Sequence, residues 1–144
     1  MKKLIAFLSI ALLAASHTFA GDFPEGSPTF EHKLADALTK AKAANKPIIV
    51  IFSAVWCGPC QQMKKKVYPS AEVKPFHDKF IWAYLDADDN ANDEDSKKFG
   101  VSGIPHIEFL DSTGKSIGKQ VGSGSAPDFA KKLEEMLKIA GGKG

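Results

Sequence analysis

The two cysteines of the chain, the only ones among its 144 residues, are two positions apart in Trp56-Cys57-Gly58-Pro59-Cys60. Two thiols at this spacing can form a disulfide, and they can also exchange with a disulfide of another molecule through a mixed disulfide. As a purely structural bridge the small ring would contribute only about 2 kcal/mol before strain is subtracted. A chain of this length also buries an adequate core without a bridge. The pair is therefore predicted to be a reversible redox couple.

The residues on either side place this pair between a strand and a helix. Ile48 to Val55 is a run of β-branched and apolar residues without alternation, which predicts a strand buried on both faces. Gln61 to Val67 has the spacing of a helix. Pro59 then falls in the first helical turn, where its missing N–H costs nothing, and Gly58 allows a tight turn of the backbone.

A helix start at this point predicts different roles for the two thiols. The free N–H groups and the dipole at the N-terminus of a helix favour an anion there, so the thiolate of Cys57 is favoured. Cys60 lies one turn further in and is predicted to be less accessible. Cys57 is thus the expected attacking nucleophile, and Cys60 is the expected resolving thiol, which breaks the mixed disulfide.

The rest of the chain predicts one α/β domain around this junction. Apolar residues recur with helical spacing from Phe30 to Ala41, and a capping box at Ser125 to Asp128 opens a last helix. Further strands are predicted at Phe80–Leu85, His106–Leu110 and Lys115–Val121, with a short helix at Glu94–Phe99. The element order α-β-α-β-α-β-β-α indicates a mixed four-stranded sheet with helices on both faces.

The N-terminus has the pattern of an export signal. Lys2 and Lys3 precede an apolar stretch from Leu4 to Ala15, which is too short to span a bilayer comfortably. Small residues at Thr18 and Ala20 predict cleavage after Ala20, with an uncleaved anchor as the alternative. Export would place the chain where disulfides persist.

Charge argues against a nucleic-acid partner. Of the 19 basic side chains, all lysines, removal of residues 1–20 takes two and leaves 17, which balance the 17 acidic ones. Arginine, whose planar fork suits phosphates and base edges, is absent. A neutral chain without arginine lacks the electrostatic footprint of nucleic-acid binding.

The five-residue motif resembles the active site of the thioredoxin family, and the element order matches that fold. Gly100-Val101-Ser102-Gly103-Ile104-Pro105 resembles the family's segment that carries a cis-proline. Among family members, the chain is most similar to the periplasmic C-terminal domain of the bacterial transmembrane thiol reductase and to small exported thioredoxin-like proteins. The resemblance covers a thioredoxin-like domain at 30–140. The predicted organisation is completed by the signal peptide (1–20), a leader (21–29) and a C-terminal tail (141–144).

The resemblance also implies a substrate site. The Ile104–Pro105 bond is expected to be cis and to face Cys57, and the Ile104 backbone is expected to pair with an extended substrate segment. Trp56 is expected at the substrate-facing rim. The family's buried aspartate, six residues before the first cysteine, is Ile51 here, and Tyr84 stands at the position of its neighbouring lysine. An apolar surrounding makes the Cys60 thiol harder to ionise, so the proton path is an open question.

Several polar residues allow two interpretations. His106 follows the proline and is predicted either to tune the Cys57 thiolate or contact substrate, or to be a surface residue. Lys64, one turn after Cys60, either favours the Cys60 thiolate or belongs to a solvated lysine run. His32 and His77 are expected at the surface, while Trp82 is expected in the core.

No metal or other cofactor is predicted. The acidic stretch from Asp86 to Asp95 lacks the glycine and glutamate of a calcium loop, because Ala91 and Lys97 occupy those positions. Two cysteines and scattered histidines do not supply a closed zinc site. The predicted redox group is the Cys57–Cys60 disulfide itself.

These observations predict a periplasmic thiol–disulfide oxidoreductase that exchanges with protein thiols and disulfides. The Gly-Pro pair inside the motif resembles the reducing branch of the family, which favours a reductant or interchange protein supplied by a membrane thiol transporter. An oxidant and an isomerase are the enzyme alternatives. Isomerases of this fold usually need a dimerisation domain, and without one a monomer is expected. A redox-inert peptide-binding protein or holdase of the same fold is the alternative from another class.

Overall fold

The computed structural model describes residues 23–141. The predicted signal peptide and the last residues of the predicted tail lie outside this range. The strands are β1 (Phe30–Glu31), β2 (Ile48–Ser53), β3 (Ile81–Asp86), β4 (His106–Leu110) and β5 (Ser116–Val121). The α-helices are α1 (Leu34–Ala44), α2 (Gly58–Gln62), α3 (Asp93–Lys98) and α4 (Ala126–Gly141). A π-helical turn (Met63–Val67) continues α2, and 3₁₀ turns cover Lys74–Lys79 and Asn90–Asn92.

The five strands form one mixed sheet in the order β1-β3-β2-β4-β5. Strand β3 runs parallel to both β1 and β2, whereas β4 is antiparallel to β2 and to β5. The β2-to-β3 connection through α2 is therefore a crossover, and β4 and β5 form the predicted hairpin. This α/β thioredoxin fold confirms the predicted fold class, with one strand more than expected.

Strand β2 lies at the centre of the sheet, and all six of its residues are buried. Its side chains alternate between two cores, because successive residues of a strand point to opposite faces. Ile49 and Ile51 pack with the helical segment 58–67 and with α4. Val50 and Phe52 pack with α1 on the other face. Helices thus cover both faces, which explains the absence of polar alternation in this run.

The N-terminal end of the domain differs from the prediction. Phe30, expected to open the first helix, lies in β1 opposite Trp82, and α1 begins only at Leu34. The Phe30 ring packs against the rings of Tyr68, Trp82 and Tyr84. Phe30 happens to stand four residues before Leu34, so it mimics helical spacing although it belongs to the sheet. A two-residue strand is too short to show the alternation that predicts a strand.

The end of β2 also differs from the prediction. The strand ends at Ser53, and Val55, the last residue of the apolar run, is 85% exposed. The helix after it begins at Gly58, directly after Cys57 as the motif predicted, and its second half is π-helical. Between residues 23 and 141, no helix has the length and apolar character needed to span a membrane.

Candidate active site

The two cysteines form a disulfide at the start of α2. Cys57 caps the helix, and Cys60 lies one turn inside it with 1% of its surface exposed, against 5% for Cys57. The Cys60 N–H points at the Cys57 sulfur, with a distance of 3.3 Å between the nitrogen and Sγ. In the reduced state this N–H would donate a hydrogen bond to a Cys57 thiolate and would favour that form.

The loop before β4 faces the disulfide. The Ile104–Pro105 peptide bond is cis, and the Ile104 carbonyl oxygen lies 3.7 Å from Cys57 Sγ. The Pro105 carbonyl accepts a hydrogen bond of 2.8 Å from the Gly122 N–H, which ties this loop to the end of β5. Ile104 and Pro105, predicted from the motif pair to lie opposite Cys57, are thus brought next to it.

Apolar side chains surround the disulfide at the surface. Trp56 is 68% exposed, and its Nε1–H donates to Asp88 Oδ2 over 2.6 Å, which fixes the indole to the acidic loop after β3. Val55 precedes it, and Val121 is exposed on the other side, about 4 Å from where a side chain on Gly103 would begin. This rim leaves Gly58 and Pro59 exposed between its members.

Beneath α2 the sheet carries no charged residue at the position that the family reserves for aspartate. Ile51 is fully buried and lies opposite Tyr84 on β3, as the alignment of motifs predicted. Two residues further along β2, the buried Ser53 Oγ is 2.6 Å from Tyr84 Oη. Burial raises the pKa of Tyr84, and the bond to Ser53 opposes this shift. Tyr84 is therefore a neutral hydroxyl at physiological pH.

A cavity of about 250 Å³ opens beside this hydroxyl pair. Phe23, Val55 and Lys64 are among the residues that line it, together with Ser53 and Tyr84. The Lys64 ammonium lies 4.5 Å from the centre of the Phe23 ring, a cation–π contact. Lys64 is therefore not fully solvated, which was one of the two interpretations of this residue. Its ammonium contacts an aromatic ring of the leader.

His106 is buried, with 1% of its surface exposed, so its interpretation as a surface residue is wrong. Its Nε2 lies 2.8 Å from Oε2 of Glu108, which is also buried. Ser116 Oγ is hydrogen-bonded to the other oxygen of the Glu108 carboxylate. The alternation of β4 places this pair on the face of the sheet that α1 covers, because His106 lies opposite Phe52 and Glu108 lies opposite Val50.

The other two histidines of the described chain differ from each other. His32 is exposed as expected. His77 is half-buried, and its Nε2 lies 2.8 Å from the Tyr68 carbonyl oxygen. Trp82 is buried, as predicted.

Sequence reasoning missed three polar partners at this site: Asp88, Ser53 and Glu108. Asp88 lies in a stretch that was interpreted as a solvated loop. The cross-strand bonds of Ser53 and Glu108 depend on register, which the sequence does not specify without the turn geometry. The one available signal was Glu108 itself, a charged residue inside an apolar strand. Within residues 23–141, no three His, Cys, Asp or Glu side chains form a group that could hold a metal ion.

Family comparison agrees with this geometry. The family model of the thioredoxin-like domain matches residues 34–137. The chain therefore belongs to the thioredoxin-like family, and its Cys57–Cys60 pair occupies the position of the redox-active disulfide of that family.

Two relatives are similar to the chain over most of its length. The chain is 30% identical over 116 residues to the thioredoxin-like protein HCF164 of Arabidopsis thaliana, a match that covers 79% of this chain and 44% of the relative. It is also 30% identical over 135 residues to the thiol:disulfide interchange protein DsbD of Pseudoalteromonas atlantica, covering 88% and 23% respectively. The predicted similarity to the bacterial thiol reductase is confirmed. The chain spans less than half the length of either relative.

Solved structures confirm the fold. A thioredoxin from Thermus thermophilus superimposes with a TM-score of 0.72 and 25% identity, covering 80% of this chain and 91% of the thioredoxin. Fold, family and the Cys57–Cys60 disulfide together define a thioredoxin-like protein.

Proposed function

We propose that this protein is an exported thiol–disulfide oxidoreductase that works as a reductant or interchange protein on other proteins. The observation that carries the proposal is the position of Cys57, which caps α2 and faces the Ile104 carbonyl at 3.7 Å beside a cis-proline. A nucleophilic sulfur at a helix start needs an adjacent surface that holds its substrate. The exposed rim around Trp56 and the loop at Ile104 and Pro105 provide one.

Reduction of a substrate proceeds in two exchange steps. The Cys57 thiolate attacks one sulfur of the substrate disulfide, and the other sulfur leaves as a thiolate that takes up a proton. Cys60 then loses its proton and attacks Cys57 Sγ, which releases the second substrate thiolate. The substrate gains two electrons, and the Cys57–Cys60 disulfide forms. An external dithiol must restore the reduced pair before the next turnover.

The remaining residues would support these steps. Trp56, held by Asp88, would form part of the substrate-facing rim, and the Ile104 backbone would pair with an extended substrate segment as an added strand. Gly58 and Pro59 would shape the exposed turn between the sulfurs.

The export signal and the relatives support a periplasmic location and a membrane thiol transporter as electron donor. In an oxidising compartment a reductant needs such a donor, because the surroundings would otherwise keep the pair oxidised. One relative, DsbD, is named a thiol:disulfide interchange protein. We infer a monomer that needs no cofactor beyond the disulfide.

Two experiments test the proposal. The purified protein should accelerate reduction of insulin by a chemical dithiol, and Cys57→Ser should lose this activity completely. Cys60→Ser, expressed in the native periplasm, should accumulate mixed disulfides on Cys57, among them one with a membrane thiol transporter. The double variant Cys57→Ser/Cys60→Ser is the matched control for trapping. If the wild type gives no turnover with any dithiol donor, the proposal is wrong.

The second candidate is a redox-inert protein of the same fold that captures extended peptides. Ile51 favours it, because no carboxylate lies at the buried position below α2 to receive the Cys60 proton. Such a protein would bind unfolded chains equally well in the Cys57→Ser/Cys60→Ser form and would leave insulin oxidised. The insulin assay therefore separates the two candidates.

A further inference from the structure

We propose that His106 and Glu108 are positioning residues for the Ile104–Pro105 segment and that they set the affinity for extended protein substrates. This inference rests on the proposed function, in which that segment pairs with the substrate backbone. It assigns no chemical step to either side chain. The chemistry of exchange stays with the two cysteines.

The first support is the cost of burying this pair. Both side chains are almost fully removed from solvent in a core of aliphatic and aromatic residues. Buried ionisable groups cost several kcal/mol each unless they are paired and hydrogen-bonded, and apolar residues of similar volume often give a more stable protein. Here the imidazole bonds one carboxylate oxygen and Ser116 bonds the other. Stability alone does not account for such a pair.

The second support is its place in the chain. His106 directly follows Pro105 and is the first residue of β4. The ring of Pro105 fixes the φ angle of that residue. Few freely rotating backbone torsions therefore separate the Ile104 carbonyl from His106, and the position of His106 influences the orientation of the carbonyl. The Gly122 N–H holds the Pro105 carbonyl from the side of β5. The imidazole bond to Glu108 anchors the next residue from inside the core.

The third support is that this end of β4 needs an internal anchor. Val121, which lies opposite His106 on the edge strand β5, is exposed to solvent. Apolar packing on that side therefore gives little resistance to fraying. On the other side the Phe52 ring meets the imidazole edge-on, with 5.9 Å between ring centres. A hydrogen bond fixes direction as well as distance, which packing against one ring does not.

The test compares a protein substrate with a small disulfide. His106→Leu/Glu108→Leu replaces the pair by apolar side chains, avoids a lone buried charge and should fold. Pre-reduced protein is mixed with increasing insulin or with 5,5′-dithiobis(2-nitrobenzoic acid), and rates are followed by stopped flow. We expect the insulin concentration for half-maximal rate to rise about fivefold to tenfold, as losing one directional hydrogen bond implies. The rate with the small disulfide should stay within about twofold, because it needs no strand pairing.

Two further variants show whether the hydrogen bond itself matters. Glu108→Gln keeps an acceptor for His106 and a partner for Ser116, so it should behave as the wild type. His77→Leu is the matched control, since His77 also makes a 2.8 Å bond to a carbonyl but lies outside the site. It should leave both rates unchanged.

Three results would overturn the inference. One is a folded double leucine variant with the wild-type insulin dependence, and another is an equal loss with both substrates. The third is a Glu108→Gln variant as impaired as the double variant. A wild type that reduces neither substrate would instead contradict the proposed function.

Discussion

The two faces of the central sheet bury different kinds of polar group. On the face where α2 and α4 pack, Ile51 is apolar, and the nearby polar groups are the neutral hydroxyls of Ser53 and Tyr84. On the face that α1 covers, the sheet buries an imidazole and a carboxylate, His106 and Glu108. The buried imidazole and carboxylate thus lie on the face that the redox helix does not cover.

This difference indicates how the site separates its tasks. Stabilisation of the Cys57 thiolate depends on the helix start, where the Cys60 N–H meets Cys57 Sγ, and no carboxylate at position 51 opposes it. The ionisable pair on the other face supports the loop that faces the disulfide. Chemistry and substrate positioning therefore depend on different residues, and substitutions can change them separately.

Introducing a carboxylate under α2 is the strongest way to break the contrast. We expect Ile51→Asp to lower the free energy of unfolding by about 3–5 kcal/mol, because the new group is buried without a charged partner. The surviving folded fraction should resolve mixed disulfides faster at neutral pH, since a base would then lie close to Cys60. Urea unfolding and single-turnover resolution kinetics measure the two effects. Ile51→Asn is the control, with similar volume and no base. Equal resolution rates in both variants would contradict this reasoning.

The hydroxyl pair on the same face should have a smaller effect. Ser53→Ala leaves Tyr84 Oη without its partner and should cost about 1–2 kcal/mol of stability. Tyr84→Phe should cost a similar amount. If the two hydroxyls act mainly on each other, the double variant will be less destabilised than the sum, by about 1 kcal/mol in a double-mutant cycle. Additive losses would show that each hydroxyl has another partner.

Tyr68 should give the smallest effect, and with the opposite sign. Its hydroxyl is buried and has no hydrogen-bond partner among the described residues, so Tyr68→Phe should stabilise the fold by about 0.5–1 kcal/mol. Burial raises the pKa of Tyr68 well above its usual value.

The raised pKa gives Tyr68 a pH dependence of known sign. In the unfolded chain Tyr68 ionises at lower pH than in the folded one, so its contribution to stability is constant below about pH 10 and falls above it. Tyr68→Phe should reduce this alkaline loss, as measured by thermal unfolding between pH 7 and pH 11. An unchanged alkaline slope would mean that other groups cause the loss.

Much of the architecture follows from local patterns. The uninterrupted apolar run at Ile48 predicted the central strand, and Ser125 with Asp128 predicted the start of α4. There the Ser125 hydroxyl accepts from the Asp128 N–H and donates to the Asp128 carboxylate. The cysteine spacing together with Pro59 predicted the helix start at Cys57. Each of these patterns involves only residues close together in the sequence. The structure that each predicts therefore does not depend on how distant parts of the chain pack.

The features that were missed depend on distant contacts. Strand β1 exists because Phe30 joins an aromatic cluster built from other parts of the chain, and two residues carry no pattern of their own. The burial of His106 follows from its partner Glu108 and from the cover of α1. Val55 was wrongly assigned to β2. An apolar residue that follows the end of a strand cannot be distinguished by its type from an apolar residue inside the strand.

The unequal placement of the two tryptophans gives the protein two separate optical signals. Trp56 is exposed beside Cys57, whereas Trp82 is enclosed by aromatic rings. A dissolved quencher such as iodide reaches the first indole and not the second, and a neighbouring disulfide quenches indole fluorescence while two thiols do so less. Emission from Trp56 should therefore follow the redox state of the pair in real time, against a constant background from Trp82.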